Sequence, residues 1–216
     1  FEENVRAAKE KGLEFYGLSD HGPALVGSPK AIYFMNFKVW PRHIDGVTIL
    51  RGIELNILNE KGEVDLEDRY LEGVDYAIVS LHTPTMVPKS KEENTMAYIN
   101  ALNHTNVKII GHPDDGKYPF DTERVVKAAA EHHVLIEVNN SSLKPDGFRL
   151  NSRENMKEVL RMCMKYNVPV IMNSDAHISF EVGKHIYCEE IVNEVNFPKD
   201  RIVNYNRELL KEYFPM

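Results

Sequence analysis

The sequence has little cysteine and no long apolar run. Cys163 and Cys188 are the only cysteines in 216 residues, which is too few for a disulfide framework. We therefore expect two small buried side chains in a protein of the reducing cytoplasm. No apolar stretch approaches the roughly 18–20 residues that span a bilayer, and no secretory signal peptide is recognisable. The composition thus favours an ordinary globular domain without a membrane partner.

Motifs that hold nucleotides or activate a serine are also missing. There is no Gly-x-Gly-x-x-Gly, no Walker-type loop and no Gly-x-Ser-x-Gly elbow, so neither a nucleotide cofactor nor a serine hydrolase is indicated. The net charge of −7 argues against nucleic acid as a stable partner and against an anionic membrane surface. A small phosphorylated substrate stays possible, because bound metal ions dominate the field of a site.

The chain instead alternates short apolar runs with helical patterns. Strands are predicted at residues 13–18, 47–53, 75–81, 107–111, 134–138 and 168–172, with a short late strand at 202–204. Helices are predicted at residues 1–11, 91–104, 122–133, 152–166, 185–195 and 206–213. Such alternation is typical of βαβ units with parallel strands covered on both faces. No linker divides the pattern, so a single α/β domain over 1–216 is expected.

Six potential metal ligands stand at the ends of these predicted strands. They are His21, Glu54, His82, His112, Asp175 and His177. A barrel would bring such residues together around one mouth, whereas an open sheet would spread them along an edge. An α/β barrel is therefore favoured.

Imidazole and carboxylate ligands together suit Zn, Mn, Fe or Ni. Six of them are too many for one tetrahedral ion, which indicates two or more divalent ions with a carboxylate such as Glu54 bridging. Clustered ions can activate water, orient a phosphate and stabilise a leaving oxygen. We expect Zn, Mn or Fe, with zinc favoured.

Other polar residues near the expected mouth allow two interpretations. Three of them follow the strand at 134–138, namely Asn139, Asn140 and Ser141; they could donate hydrogen bonds to phosphate oxygens or simply form a loop. Asp20 could hold an imidazole tautomer or form a turn. Glu137 is either a paired buried carboxylate or a residue behind the ligands. Arg149 and Lys117 are expected to be solvated loop charges.

An ordered set of motifs resembles the polymerase and histidinol phosphatase (PHP) superfamily. The motifs are Leu-Ser-Asp-His-Gly at 18–22, Arg-Gly-Ile-Glu at 51–54, Leu-His at 81–82, Gly-His-Pro at 111–113, Glu-Val-Asn-Asn-Ser-Ser at 137–142 and Asn-Ser-Asp-Ala-His at 173–177. The segment Phe-Lys-Val-Trp-Pro-Arg at 37–42 is similar to the bacterial stand-alone phosphatases of that superfamily. The resemblance covers essentially the whole chain.

The resemblance implies a distorted (β/α)7 barrel with a trinuclear site. Glu54 would bridge two ions, one held by His82 and His112 and the other by Asp175; His21 and His177 would hold the third. Attack of a metal-bound hydroxide would hydrolyse a phosphomonoester, with Glu54, Asp175 and His177 as the catalytic residues.

The superfamily pattern also begins with a His-x-His motif on a first strand, and nothing before Phe1 supplies it. We expect that this first strand is missing from the chain. Two alternatives to a phosphatase stay open. One is an amidohydrolase-like metal hydrolase, against which the lack of a well-placed strand-end lysine counts. The other is a non-catalytic metal-binding or regulatory module. A homo-oligomer is possible.

Overall fold

A computed structural model describes residues 1–214. The last two residues of the expected domain at 1–216 therefore lie outside the described part, and the single-domain organisation stays a prediction. No helix in the described part is both long and apolar enough to cross a membrane. Both cysteines are free and buried, as expected.

One mostly parallel sheet forms the centre of the molecule. Its strands are β1 (Phe15–His21), β2 (His43–Ile44), β3 (Val47–Asn56), β4 (Tyr76–Ser80), β5 (Val107–Ile110), β6 (Leu135–Asn139) and β7 (Val170–Asn173). They lie in the order β1-β3-β4-β5-β6-β7, and each of these neighbours is parallel. The short strand β2 pairs antiparallel with β3. The predicted parallel α/β sheet is confirmed.

Most helices cover the outer face of the sheet, whereas the last one packs against the inner-face cluster through Tyr213. The helices are α1 (Glu2–Glu10), α2 (Ala31–Met35), α3 (Asp68–Leu71), α4 (Lys91–Ala101), α5 (Thr122–Glu131), α6 (Ser152–Tyr166), α7 (Ile186–Glu194) and α8 (Arg207–Tyr213). Short 3-10 helices occur at Asn36–Val39, Ser179–Glu181, Lys199–Arg201 and Val203–Tyr205. Helix α4 begins with a capping box in which Ser90 and Glu93 satisfy each other's backbone N–H groups, a common way to start a helix.

Strand alternation divides the residues of β3 between two environments. Ile53 and Leu55 belong to the main core, which packs between the sheet and the helices. Leu50 belongs to a second cluster on the inner face, and Glu54 lines the cavity there. Because successive side chains of a strand point to opposite faces, Asn56 shares the inner face with Glu54. The inner face is thus apolar at its lower end and polar at the carboxyl ends of the strands.

The sheet is curled into a half-barrel. β1 and β7, the two ends of the strand order, line the same cavity of about 720 Å³. Leu50, Tyr76 and Ile109 fill part of the inside, and Phe214 after α8 packs against them. The polar inner residues at the carboxyl ends of the strands therefore face one shared space, as expected of a barrel mouth.

Two details of the predicted strands are wrong. β1 and β3 continue past their apolar runs, and their ladder extends to the pair His21–Glu54, because backbone hydrogen bonds do not need apolar side chains. Both residues therefore lie inside strands rather than after them. The late strand predicted at 202–204 is reduced to one bridge between Ile202 and Val170, and a 3-10 helix follows at once.

Candidate active site

Three imidazoles converge on one carboxylate, and we call His21, Glu54, His82 and His112 the imidazole side of the mouth. Glu54 Oε1 lies 3.0 Å from His112 Nε2 and 3.4 Å from His82 Nε2. Glu54 Oε2 lies 3.1 Å from His21 Nδ1. The two Nε2 atoms of His82 and His112 are themselves 3.0 Å apart. Glu54 Oε1 thus faces the rings of His82 and His112, whereas Oε2 faces the ring of His21.

Local backbone geometry puts these side chains in place. His21 and Glu54 are directly paired in the parallel ladder of β1 and β3. His82 follows β4 at a position that keeps the inner-face alternation of Ile78 and Ser80. His112 follows β5 with a positive φ of 29°, an uncommon conformation for a residue other than glycine. This turn of the backbone aims its ring back toward Glu54.

The protonation states suit a set of ligands. Burial raises the pKa of the Glu54 carboxyl, but the hydrogen bonds and charges of His112 and His82 outweigh it and hold the pKa well below its usual value. Burial, together with the charge of Arg149, lowers the pKa of His112. The two directions favour an ionised Glu54 and a neutral His112, and these are the forms that bind cations.

The atoms of the imidazole side have the spacing of a set of metal ligands. His21 Nδ1 and His112 Nδ1 are buried and lack any hydrogen-bond partner among the described residues. The ligand atoms of His21, Glu54 and His82 all lie within 4.8 Å of one another. Ligands around a tetrahedral zinc ion with bonds of 2.0–2.1 Å are about 3.3 Å apart. The separations of 3.0–3.4 Å around Glu54 are close to that value.

Asn56 is a further residue of the site that was not predicted from the sequence. Its Oδ1 atom lies 2.7 Å from His82 Nδ1, on the side of the ring away from Glu54. Its place two residues after Glu54 in one strand was the available signal. Asp20, which was considered for such a role, instead accepts a hydrogen bond of 2.7 Å from Tyr33 Oη.

The opposite part of the mouth is built from β6 and β7, and we call Glu137, Asn139, Asn173 and Asp175 its amide side. Glu137 Oε1 accepts from Asn173 Nδ2 at 2.8 Å, and its Oε2 accepts from His112 N. Asn139 Nδ2 lies 3.2 Å from both Glu137 Oε2 and Asp175 Oδ2. Burial and the charge of Glu54 raise the pKa of Glu137 to about 7. Glu137 is thus the paired buried carboxylate of the two interpretations.

A buried arginine lies beside the amide side. The Arg149 side chain is only 6% exposed, and its Nη1 atom lies 3.8 Å from Asp175 Oδ2. It also donates to Ser142 Oγ at 2.7 Å. The expectation of a solvated loop charge is therefore wrong for Arg149, because the loop after β6 folds over the mouth. Asp114 is also buried, and the charge of Arg149 acts on its carboxyl group. Its carboxylate oxygens accept no hydrogen bond of good geometry among the described residues.

The remaining predicted residues differ in exposure. The His177 side chain is 72% exposed, with its Nδ1 atom 3.6 Å from Asp175 Oδ1 and its ring 6.1 Å from that of His21. Asn140 is buried, and its Oδ1 atom accepts from Tyr187 N. Asn139 is buried within the amide side, whereas Ser141 is partly exposed. Binding of substrate by Asn139, Asn140 and Ser141 stays a prediction.

The structure thus brings four of the six predicted ligands into direct contact, the members of the imidazole side. Asp175 and His177 lie across the mouth, where Asn139 joins Asp175 to Glu137. The metal-ligand roles of all six residues stay predictions, since no ion is described. So do the catalytic roles of Glu54, Asp175 and His177.

Comparison with known proteins supplies a family. The chain is 41% identical over 211 residues to a probable phosphatase of Clostridium novyi, a match that covers 98% of this chain and 86% of the relative. The chain therefore belongs to the family of these probable phosphatases. No family model matches the sequence.

Two solved structures share the fold. A histidinol phosphate phosphatase of Lactococcus lactis, complexed with zinc, L-histidinol and phosphate, superposes with a TM-score of 0.60 at 15% identity and covers 91% of this chain and 88% of its own. A chain from the cryo-EM structure of archaeal ribonuclease P with mature tRNA gives 0.61 at 14% identity and covers 99% and 86%. At such identities the likeness concerns the fold, which does not by itself define a function.

Proposed function

We propose that this protein is a metal-dependent phosphatase of the PHP superfamily that hydrolyses small phosphomonoesters. The convergence of three imidazoles on Glu54 carries the proposal. The relative named a probable phosphatase and the structural neighbour with zinc and phosphate support the same assignment. We also propose that the half-barrel is a distorted (β/α)7 barrel of the kind that the sequence resemblance implies.

We further propose a trinuclear site of divalent ions, with zinc favoured over manganese and iron. Glu54 would bridge two ions, one held by His82 and His112 and the other by Asp175, while His21 and His177 would hold the third. Support for a bridging role comes from the two Glu54 oxygens, which face different imidazoles. The lack of thiolate among these ligands agrees with ions that act in catalysis rather than in a Cys-type structural site.

When bound, such ions would supply Lewis acidity to the phosphate and lower the pKa of water at the site. The chain's own residues provide orientation and charge. Asn139 and Glu137 hold the Asp175 side of the mouth in one arrangement. Arg149 presents a buried guanidinium, which pairs well with phosphate oxygens. Together with Asn139, Asn140 and Ser141, it is a proposed substrate contact. We also propose that the protein acts in the cytoplasm, without nucleic acid as a stable partner.

Metal analysis combined with an activity assay tests the proposal. Purified protein should contain zinc, manganese or iron and should hydrolyse p-nitrophenyl phosphate after incubation with Zn²⁺ or Mn²⁺. A His82→Ala variant should lose both metal and activity. A panel of phosphorylated metabolites assayed by phosphate release would then identify the substrate.

The possible outcomes separate the alternatives. Metal binding without phosphate release from any ester would overturn the phosphatase proposal in favour of a non-catalytic module. Hydrolysis of amides or carboxylic esters alone would favour the amidohydrolase-like alternative. Unchanged metal content in His82→Ala would defeat the ligand assignment.

A further inference from the structure

The orientation of the Asn56 side chain is fixed by its surroundings. Asn56 is fully buried at the end of β3. Its Nδ2 atom lies 2.6 Å from Asp65 Oδ2 and 3.2 Å from the backbone oxygen of Gly22. Both partners are acceptors, so the NH₂ group must point toward them. The amide oxygen of Asn56 must then face His82 Nδ1, 2.7 Å away.

Asp65 itself is surrounded by donors. Its Oδ1 atom accepts from Asn56 N at 2.9 Å, and its Oδ2 atom accepts from Ala24 N at 2.9 Å in addition to Asn56 Nδ2. An antiparallel bridge between Ile57 and Val64 brings the Asp65 loop alongside the end of β3. Asp65 therefore presents acceptors only, and the amide of Asn56 cannot turn around without placing its oxygen against a carboxylate.

Gly22 makes room for this carboxylate. A Cβ atom at position 22 would lie 2.4 Å from each oxygen of Asp65, a separation that atoms do not adopt. The glycine that follows His21 thus permits Asp65 to reach Asn56. Three separate segments, at Gly22, Asn56 and Asp65, are shaped around one chain of hydrogen bonds that leads to His82.

We propose that Asp65, acting through Asn56, holds the proton of neutral His82 on Nδ1 and leaves the lone pair on Nε2. Asp65 and Asn56 are positioning residues for His82. The functional meaning of this tautomer rests on the metal site proposed above, because Nε2 is the atom that faces Glu54 and His112. An imidazole whose far N–H is anchored in this way is a better ligand, and loss of such anchors costs about 10–100-fold in metal affinity.

The alternative tautomer of His82 also has a hydrogen-bond acceptor nearby, which makes the proposal testable. With its proton on Nε2, His82 could donate to Glu54 Oε1, 3.4 Å away. That proton would occupy the position from which Nε2 binds a cation. Removing the acceptor at Asn56 Oδ1 should therefore both change the tautomer and weaken metal binding.

Imidazole ¹⁵N NMR of the metal-free protein above pH 8 reads the tautomer directly. The parent protein should show His82 protonated on Nδ1. Asp65→Asn frees the Asn56 amide to turn, and Asn56→Leu removes the acceptor, so both should shift His82 toward protonation on Nε2. The double variant Asn56→Asp/Asp65→Asn keeps an acceptor facing Nδ1 and conserves the total charge, so it should restore the parent tautomer.

Zn²⁺ affinity, measured by competition with a chelator, is the second readout. Asp65→Asn and Asn56→Leu should bind Zn²⁺ about 10–100-fold more weakly, and the double variant should recover most of the loss. Asp68→Asn is the matched control, because Asp68 also contacts a histidine Nδ1, that of His104, at 2.8 Å but outside the site. It should leave Zn²⁺ affinity unchanged.

Two results would overturn the proposal. One is protonation of His82 on Nε2 in the parent protein, which needs no variant and so does not depend on a variant's folding. The other is a parent-like tautomer and a Zn²⁺ affinity within threefold of the parent in folded Asp65→Asn. The His82 tautomer could respond to the variants as expected in a protein that releases no phosphate from any ester. That result would support the roles of Asp65 and Asn56 and would contradict the phosphatase proposal instead.

Discussion

The imidazole side and the amide side occupy equivalent positions at the ends of neighbouring strands, yet their atoms are used in opposite ways. On the imidazole side, nitrogen and oxygen atoms face one another at 3.0–3.4 Å around Glu54. His21 Nδ1, although 3.1 Å from Glu54 Oε2, and His112 Nδ1 make no hydrogen bond among the described residues. On the amide side, both oxygens of Glu137 accept from N–H groups. The imidazole side thus keeps nitrogen atoms that can bind a ligand, whereas the carboxylate of Glu137 on the amide side already has its hydrogen bonds within the protein.

This difference indicates that the two sides of the mouth have different functions. Buried polar groups are usually paired, and each exception needs an explanation. A cation bound beside Glu54 would explain the unpaired Nδ1 atom of His21. The amide side instead positions Asp175 beside the positive charge of Arg149, the residue that we propose as a contact for an anionic substrate. Substitutions on the two sides of the mouth should therefore affect metal binding and phosphate binding separately.

The largest effect is expected at Glu54. Glu54→Gln removes one charged oxygen that faces the imidazoles, so metal content should fall and kcat/KM for p-nitrophenyl phosphate should drop by more than about 100-fold, the upper end for residues that only support a ligand. Elemental analysis and steady-state kinetics measure the two quantities. Glu60→Gln, at a partly exposed glutamate that pairs with Lys89, is the control and should change neither. If Glu54→Gln retained the metal content of the parent protein, the proposed role of Glu54 as a metal ligand would be contradicted.

A smaller and more selective loss is expected at Arg149. A hydrogen bond to a charged group contributes about 1.5–3 kcal/mol, so Arg149→Met should lower kcat/KM by about 10–100-fold and weaken inhibition by inorganic phosphate. Metal content should stay at the parent level, and Arg149→Lys should recover part of the loss. Loss of metal together with activity would show that the two sides of the mouth are not separable.

Asp114 gives a pH-dependent prediction for the region behind Arg149. Burial raises the pKa of Asp114 to about 7, against the opposing charge of Arg149. Its ordinary value is 3.8, so in the folded state its ionisation costs free energy that grows between about pH 4 and 7 and is constant above. Asp114→Asn should therefore stabilise the metal-free protein little at pH 4 and most at pH 8. At 1.36 kcal/mol per unit the gain is at most about 4 kcal/mol.

Thermal unfolding of parent and variant across pH 4–8 measures this gain. Asp146→Asn, at an exposed loop aspartate, is the control and should show no such trend. A gain of equal size at pH 4 and pH 8, or a loss at pH 8, would contradict the assignment of the cost to ionisation of buried Asp114.

The smallest effect is expected at Arg153 on α6, which forms ion pairs with Glu190 and Glu194 on α7. Its side chain is partly exposed, and exposed pairs contribute about 0–1 kcal/mol. Arg153→Met should leave kcat/KM and metal content unchanged and should lower the melting temperature only slightly. It is thus a matched arginine control for Arg149. A loss of activity comparable to that of Arg149→Met would show that arginine removal acts through general stability.

The helices and most strands could be predicted because their signals are local. The predicted helix at 152–166 matches α6, since its apolar residues recur at helical spacing. The ends of β1 and β3 were less predictable, because their ladder continues through His21 and Glu54, which carry no apolar signal. The short helices α2 and α3 were missed. They have five and four residues, too few for a periodic pattern to be recognised.

The candidate site divides along the same line. Strand-end position was enough to select His21, Glu54, His82 and His112. Asn56 was overlooked although alternation places it on the Glu54 face. Asp65 had no local signal at all, because its contact with Asn56 depends on how a loop returns to the end of β3. Arg149 was expected in solvent for the same reason.

The order of residues along the chain specifies which side chains stand at strand ends and on which face, because the period of a strand or helix is a property of the backbone. Which atoms meet across the mouth depends on the curl of the sheet, the order of its strands and the paths of its loops. Those long-range features assign one oxygen of Glu54 to His21 and the other to His82 and His112. They also bury Arg149 beside Asp175 and set the hydrogen bonds that orient His82, because such contacts join segments that are distant in sequence.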